Sequence, residues 1–95
     1  MKRVSENEKL RILAKSTALR LERSQGAAVR DLTGRTYAAT NVSLPSLTLD
    51  ALEATLAAAI SSGASGIEAF SIWGEPASAR ALTAMNEFAP QAEQV

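Results

Sequence analysis

Between residues 6 and 22, Leu10, Leu13, Ala14, Thr17, Ala18 and Leu21 recur at spacings of three and four, with polar side chains in the gaps. That spacing lines one face of an amphipathic helix. Ser5 stands where an N-cap belongs, and Glu8 three residues on completes a capping-box pattern. The pattern then changes. Residues 25–31 and 35–42 are short strand-like runs joined across Leu32-Thr33-Gly34, where Gly34 supplies the positive φ a tight hairpin often needs. Val29, Tyr37 and Val42 fit a pleated surface, and the alanines among them leave room for a helix to pack closely. Residues 43–46, with Pro45, read as a loop.

A second helix is predicted over residues 49–62, ending at Gly63. Leu49, Leu52, Leu56, Ala59 and Ile60 form its apolar face, while Ala51, Ala54, Ala57 and Ala58 keep the rest small. A helix with so little polar surface is expected to be covered on more than one side, and a neighbouring subunit is a candidate cover. Residues 66–73 (GIEAFSIW) read as a third strand. The connection to it contains a helix, so it is free to pair parallel to a strand of the hairpin. Pro76 suits the first position of a last helix whose apolar side is Ala81, Leu82, Met85, Phe88 and Ala89. Residues 91–95 look like a frayed tail. The expectation is a single α/β domain over residues 1–95, ordered α-β-β-α-β-α, with helices on the faces of a small three-stranded mixed sheet.

Composition narrows the chemistry. The chain has 95 residues, and its 46% hydrophobic and 21% charged content is that of a folded domain. A domain this short buries a smaller share of its surface than a mid-sized one, which favours self-association. Ten basic residues balance ten acidic ones, so no overall field points to nucleic acid or a membrane surface. Lys2, Arg3, Lys9, Arg11, Lys15, Arg20 and Arg23 cluster early but interleave with Glu6, Glu8 and Glu22, the pattern of a solvated helix face rather than a phosphate patch. There is no cysteine and no histidine, which excludes disulfides, thiol nucleophiles, imidazole acid–base chemistry and the usual zinc ligands. No signal-type or membrane-length apolar segment is present, so a cytoplasmic location is expected.

With this order in place, the chain resembles the cytidine deaminases over nearly its whole length. Gly26-Ala27-Ala28-Val29 matches the family's GAAV strand; Asn41-Val42-Ser43 stands where the family has NVE; Ala39 replaces a glycine two residues before that asparagine. Leu47 to Leu52 (LTLDAL) occupies the frame of LTxCAE, and Ser61-Ser62-Gly63 closes that helix as the family does. Pro76 to Arg80 (PASAR) stands for PCxxC, and Glu87-Phe88-Ala89-Pro90 for the family's EFAP.

The resemblance implies a zinc site with a glutamate that moves protons as metal-bound hydroxide attacks the pyrimidine. The matching zinc and catalytic positions hold Asp50, Leu52, Ala77 and Arg80. Only Asp50 is a possible ligand, and the proton-shuttling position is aliphatic. Arg80 is a candidate partner for Asp50, an ion pair in place of the metal. Glu53, one step along the helix from the lost glutamate, is rotated by about 100° and reads better as a first-turn charge suited to the helix dipole and cap. On the substrate side Asn41 remains, Ser43 replaces a glutamate that meets the ribose, and Arg23 replaces the pocket aromatic. Asn41 reads either as a nucleoside contact or as a turn-forming amide. Trp73 and Tyr37 read as core or interface rather than base-stacking platforms.

Members of the family continue past EFAP with further strands, so the third strand is expected to be an open edge that invites a second chain. The resulting expectation is a non-enzyme: a deaminase-like pseudoenzyme acting as an interaction or regulatory module. It would use no cofactor and no metal, form a homo-dimer or tetramer or bind a protein partner, and bind neither membrane nor nucleic acid. The alternative is a sensor of a pyrimidine nucleoside or nucleotide that uses Asn41, Ser43 and Arg80. An active deaminase ranks last, since zinc would have to be held by carboxylates alone.

Overall fold

The computed structural model describes residues 5–95; Lys2 and Arg3 of the basic cluster lie outside them. The first helix, α1 (Glu6–Arg20), starts at Ser5, whose hydroxyl accepts the Glu8 backbone N–H at 3.0 Å. It buries Leu10, Ala14, Thr17 and Ala18, while Leu21 at its end is exposed.

Strands β1 (Gln25–Asp31) and β2 (Thr36–Thr40) form the expected antiparallel hairpin, with Gly34 at φ 90° in its turn. The chain then makes a second small hairpin, β3 (Val42–Leu44) with β4 (Leu47–Leu49), where a loop was expected. Leu44 pairs with Leu47, which leaves only Pro45 and Ser46 in the turn. Strands of three residues are too short for alternation to reveal them.

Helix α2 (Ala51–Ser61) crosses one face of the sheet and leads to β5 (Ile67–Gly74). The crossover makes β5 run in the same direction as β2. It does not pair with β2, however: it lies antiparallel against the free edge of β1, the reverse of the parallel pairing expected. Helix α3 (Ala79–Phe88) opens at the Ser78 cap, two residues after Pro76, so the proline belongs to the preceding loop. Finally β6 (Glu93–Gln94) pairs parallel with Ala69 and Phe70 of β5, in place of the frayed tail expected for 91–95. The main sheet has four strands in the order β2-β1-β5-β6 and is mixed, as predicted. β6 covers one part of the β5 edge that was expected to be open.

Alternation along β1 divides the core in two. Ala27 and Val29 face α2 and α3, packing with Leu52, Leu56, Ile67, Phe70, Ala81 and Met85. Ala28 faces α1 and packs with Leu10, Ala14 and Ala69, with Trp73 half-buried beside them. The small residues on this second face bring α1 very close. A Cβ at Gly26 would come within 2.9 Å of the Ala18 Cβ and still nearer the Ala14 carbonyl oxygen, so only glycine fits there. On α2 the buried stripe is Ala51, Leu52, Thr55, Leu56 and Ala59. Ala57, Ala58 and Ile60 face outward, so within one chain this helix is covered on one side only.

Candidate functional site

β1 starts, β2 ends and α2 begins at the same end of the sheet, and the β3–β4 hairpin rises beside them. A cleft of about 330 Å³ opens there, lined by Gln25, Asn41, Val42, Ser43, Thr48, Leu49, Asp50, Glu75, Pro76 and Ser78. Its floor is Gln25, which is only 4% exposed. The Gln25 side-chain amide donates to the backbone carbonyls of Glu75 (2.9 Å) and Pro76 (3.0 Å), and its oxygen accepts the Ala51 N–H at 2.7 Å. One side chain thus joins β1, the first turn of α2 and the loop into α3.

Asp50 is the N-cap of α2. Its Oδ1 accepts the Glu53 N–H at 2.7 Å, and the Glu53 carboxylate returns to accept the Asp50 N–H at 2.9 Å, a complete capping box. The other oxygen, Oδ2, accepts the Ser78 N–H at 2.7 Å, so one carboxylate caps α2 and anchors the start of α3. The sequence pairing of Asp50 with Arg80 is corrected here. Arg80 is bound instead to Glu53 through Nε and Nη2, and Nη2 also donates to the Thr48 carbonyl at 3.2 Å. The reason is geometric: both Asp50 oxygens are taken by backbone N–H groups, while Glu53 lies one turn along, facing α3. The Arg80 hydrogen bond holds the Glu53 carboxyl below the usual range; partial burial works against this, and the Asp50 N–H adds to it. Glu53 raises the already high pKa of Arg80 in return.

The remaining positions singled out from sequence separate. Leu52 is fully buried in the core beneath α2, and Ala77 is half-buried against the same core. Asn41 and Ser43 line the cleft; Arg80 lies on the exposed first turn of α3 and is not part of the lining. Arg23 is exposed and outside the cleft. Tyr37 is half-buried against the core, as expected. Asn41 carries a feature of its own: its Oδ1 is buried and has no hydrogen-bond partner. Sequence reasoning missed Gln25 and Ser78. The available signal for Gln25 was a polar residue immediately before a run of small strand residues, at the level where the next helix begins.

A second groove, about 350 Å³, lies at the opposite end of the sheet between the β1–β2 turn and the end of α2. Its buried acid is Asp31, whose Oδ1 accepts from the Thr33 N–H and hydroxyl and from the Arg35 N–H, at 2.8–2.9 Å. This carboxylate is used to build its own turn.

The cytidine deaminase-like family model matches residues 3–95. The chain belongs to that family. Among solved structures it is similar to a mutant cytidine deaminase from Mycobacterium tuberculosis, with a TM-score of 0.79 at 24% identity over 93% of this chain and 83% of that one. It is also similar to a cytidine deaminase from Mycobacterium leprae, with a TM-score of 0.70 at 16% identity over 93% of this chain and 82% of that one. No protein with a curated description matches. These findings overturn the expectation of a non-enzyme, because the family and the structures that match are those of enzymes.

The zinc that the family implies does not fit the residues present. Among the described residues no three His, Cys, Asp or Glu side chains gather to hold a metal. Asp50 has both oxygens committed, and Leu52 and Ala77 offer no donor atom. This mismatch concerns zinc alone and does not bear on other chemistry.

Proposed function

We propose that the cleft at the start of α2 binds a ligand of nucleoside type, with a hydroxyl-bearing part seated against Asn41 and Ser43. The observation that carries this reading is the Asn41 Oδ1, a buried acceptor with no partner at the wall of an open cleft. An unsatisfied buried polar atom costs about 1–3 kcal/mol, and a turn of the Asn41 side chain toward the cleft, where a ligand hydroxyl donates to it, removes that cost. Ser43 and Thr48 add hydroxyl groups that can meet further ligand hydroxyls. The solved structures that this chain resembles are cytidine deaminases, which makes pyrimidine nucleosides the first compounds to try.

The test is thermal unfolding with a panel of nucleosides and nucleotides, with ammonia release followed in the same samples. At about 100 times its Kd a ligand stabilises by roughly 2.7 kcal/mol, a rise on the order of 10 °C for a domain of this size. Asn41→Ala should abolish the shift. A panel with no effect, or a shift that survives in Asn41→Ala, counts against the reading.

A second reading, self-association, is favoured by the projecting β3–β4 hairpin, where Leu44 is 58% and Leu47 48% exposed at the tip. The two leucines are cross-strand partners, so a second chain packed on the hairpin tip would cover both. Light scattering on the purified chain and on a Leu44→Ser, Leu47→Ser variant distinguishes the outcomes: a dimer or larger assembly that the variant dissociates supports it, and a monomer removes it.

A further inference from the structure

The resemblance implies a metal that would tie the N-terminus of one helix to the start of another, at the positions that here hold Asp50, Ala77 and Arg80. No such donor set exists in this chain, yet the same elements are joined. Gln25 reaches from the first residue of β1 into both, its oxygen on the Ala51 N–H and its amide nitrogen on the Glu75 and Pro76 carbonyls. Asp50 makes a second, parallel connection to Ser78.

We infer that the cleft end of this domain is held by a metal-free polar staple, the Gln25 amide reinforced by the Asp50 carboxylate, in the place where the family uses zinc. An amide suits the task for a definite reason. The groups to be joined are one backbone donor on α2 and two backbone acceptors on the loop, and glutamine offers an acceptor and a two-hydrogen donor on one rigid plane. A carboxylate in its place could satisfy only the α2 side, and a hydroxyl is too short to reach both. All three backbone groups are thereby satisfied around a side chain that is 4% exposed. Gln25 is a positioning residue on this account: it fixes the spacing of the cleft walls and touches no reacting group.

The inference stands whether or not the cleft binds a nucleoside, and its test reads no ligand. The full chain is purified, its metal content measured, and its thermal unfolding recorded with EDTA and with added zinc chloride. Expected are no stoichiometric metal and the same Tm in both conditions. Gln25→Leu should lower Tm by roughly 10 °C. Gln25→Glu serves as the second variant because it keeps the size and the acceptor. In amide hydrogen exchange it should leave the Ala51 N–H protected while exchange quickens at Ser78 and Ala81, so that the two arms of the staple come apart separately. A Gln25→Leu protein as stable as wild type overturns the proposal. So does co-purifying zinc whose removal lowers Tm, or an exchange pattern unchanged in Gln25→Glu.

Discussion

The two ends of α2 are closed in opposite ways. At its N-terminus a local capping box between Asp50 and Glu53 is tied to the rest of the fold by long-range connections: Gln25 to Ala51 and to the residues near 75, Asp50 to Ser78, Glu53 to Arg80. At the far end, beside its C-terminus, the buried carboxylate of Asp31 spends its bonds on residues two and four positions away. The local closure makes a turn that forms as soon as its own few residues are placed, and it needs nothing from the rest of the chain. The long-range closure exists only when β1, α2 and α3 are all in place. It is therefore the end where a change in one element alters the geometry of the others, and it is the end that carries the cleft.

The largest expected effect is at Leu52, beneath the first turn of α2. Restoring an acid with Leu52→Glu would bury an unpaired carboxylate in a position with no exposure, at a cost of about 4 kcal/mol or more. That approaches the whole stability of a small domain. Leu52→Met, which keeps volume and polarity, should cost less than about 1.5 kcal/mol. Denaturant unfolding of the two variants measures the gap. A stable, folded Leu52→Glu protein would mean that this end is looser and wetter than its packing indicates.

Next in size is the contrast between the two acids. Asp50→Ala removes an N-cap, worth about 1 kcal/mol, and a charge-assisted bond to the Ser78 N–H, about 1.5–3 kcal/mol, so a loss of about 2.5–4 kcal/mol is expected. Asp31→Ala disturbs one turn whose freed N–H groups can turn to water, and its loss of stability should be the smaller. Equal losses in the same unfolding experiment would break the distinction between long-range and local closure.

The same distinction explains which parts of the molecule were legible in the sequence. The Ser5 cap and the Gly34 turn depend on neighbours in the chain, and each stands where the residue pattern puts it; the helical stripes held only in part, since on α2 Leu52, Leu56 and Ala59 are buried as expected but Leu49 lies in β4, Ile60 is exposed, and Ala51 and Thr55 are buried instead. The order of the six predicted elements also followed, because crossovers and hairpins leave few arrangements open, although β3, β4 and β6 were not among them. Apart from the β3–β4 hairpin, whose three-residue strands are too short to show alternation, what failed depends on partners far away in sequence. The direction in which β5 pairs is decided by which edge of β1 is free, and β6 exists only because β5 offers an unpaired edge. At the cleft, the family comparison located Asp50 and Asn41 but assigned Arg80 to Asp50. No local pattern shows that Ser78 and Glu53 already fill Asp50, leaving Arg80 to Glu53. Gln25 was missed for the same reason: its place before the small strand residues marks a polar position, but the carbonyls it meets lie fifty residues on.

The smallest effects should separate the two closures by pH and salt. The carboxyl of Glu53 is held low chiefly by the Arg80 hydrogen bond, against some burial. For Asp31 burial works in the opposite direction and is outweighed by the Thr33 hydroxyl and the Arg35 and Thr33 N–H groups, with a last contribution from the Arg35 charge. Both pKa values are depressed on folding, so both acids stabilise the fold when ionised. That stabilisation is full above the ordinary carboxylate range and is lost as pH falls through the folded values. The stability gap between wild type and Glu53→Gln should therefore narrow as the solution is acidified, and likewise for Asp31→Asn. Salt should divide them. Arg80 is 72% exposed, so its attraction for Glu53 is screened, and raising salt at neutral pH should shrink the Glu53→Gln gap. Asp31 is held mainly by neutral donors that salt does not reach, and its gap should persist. Two gaps that respond alike to salt would show that charge supports both ends of α2 to the same degree.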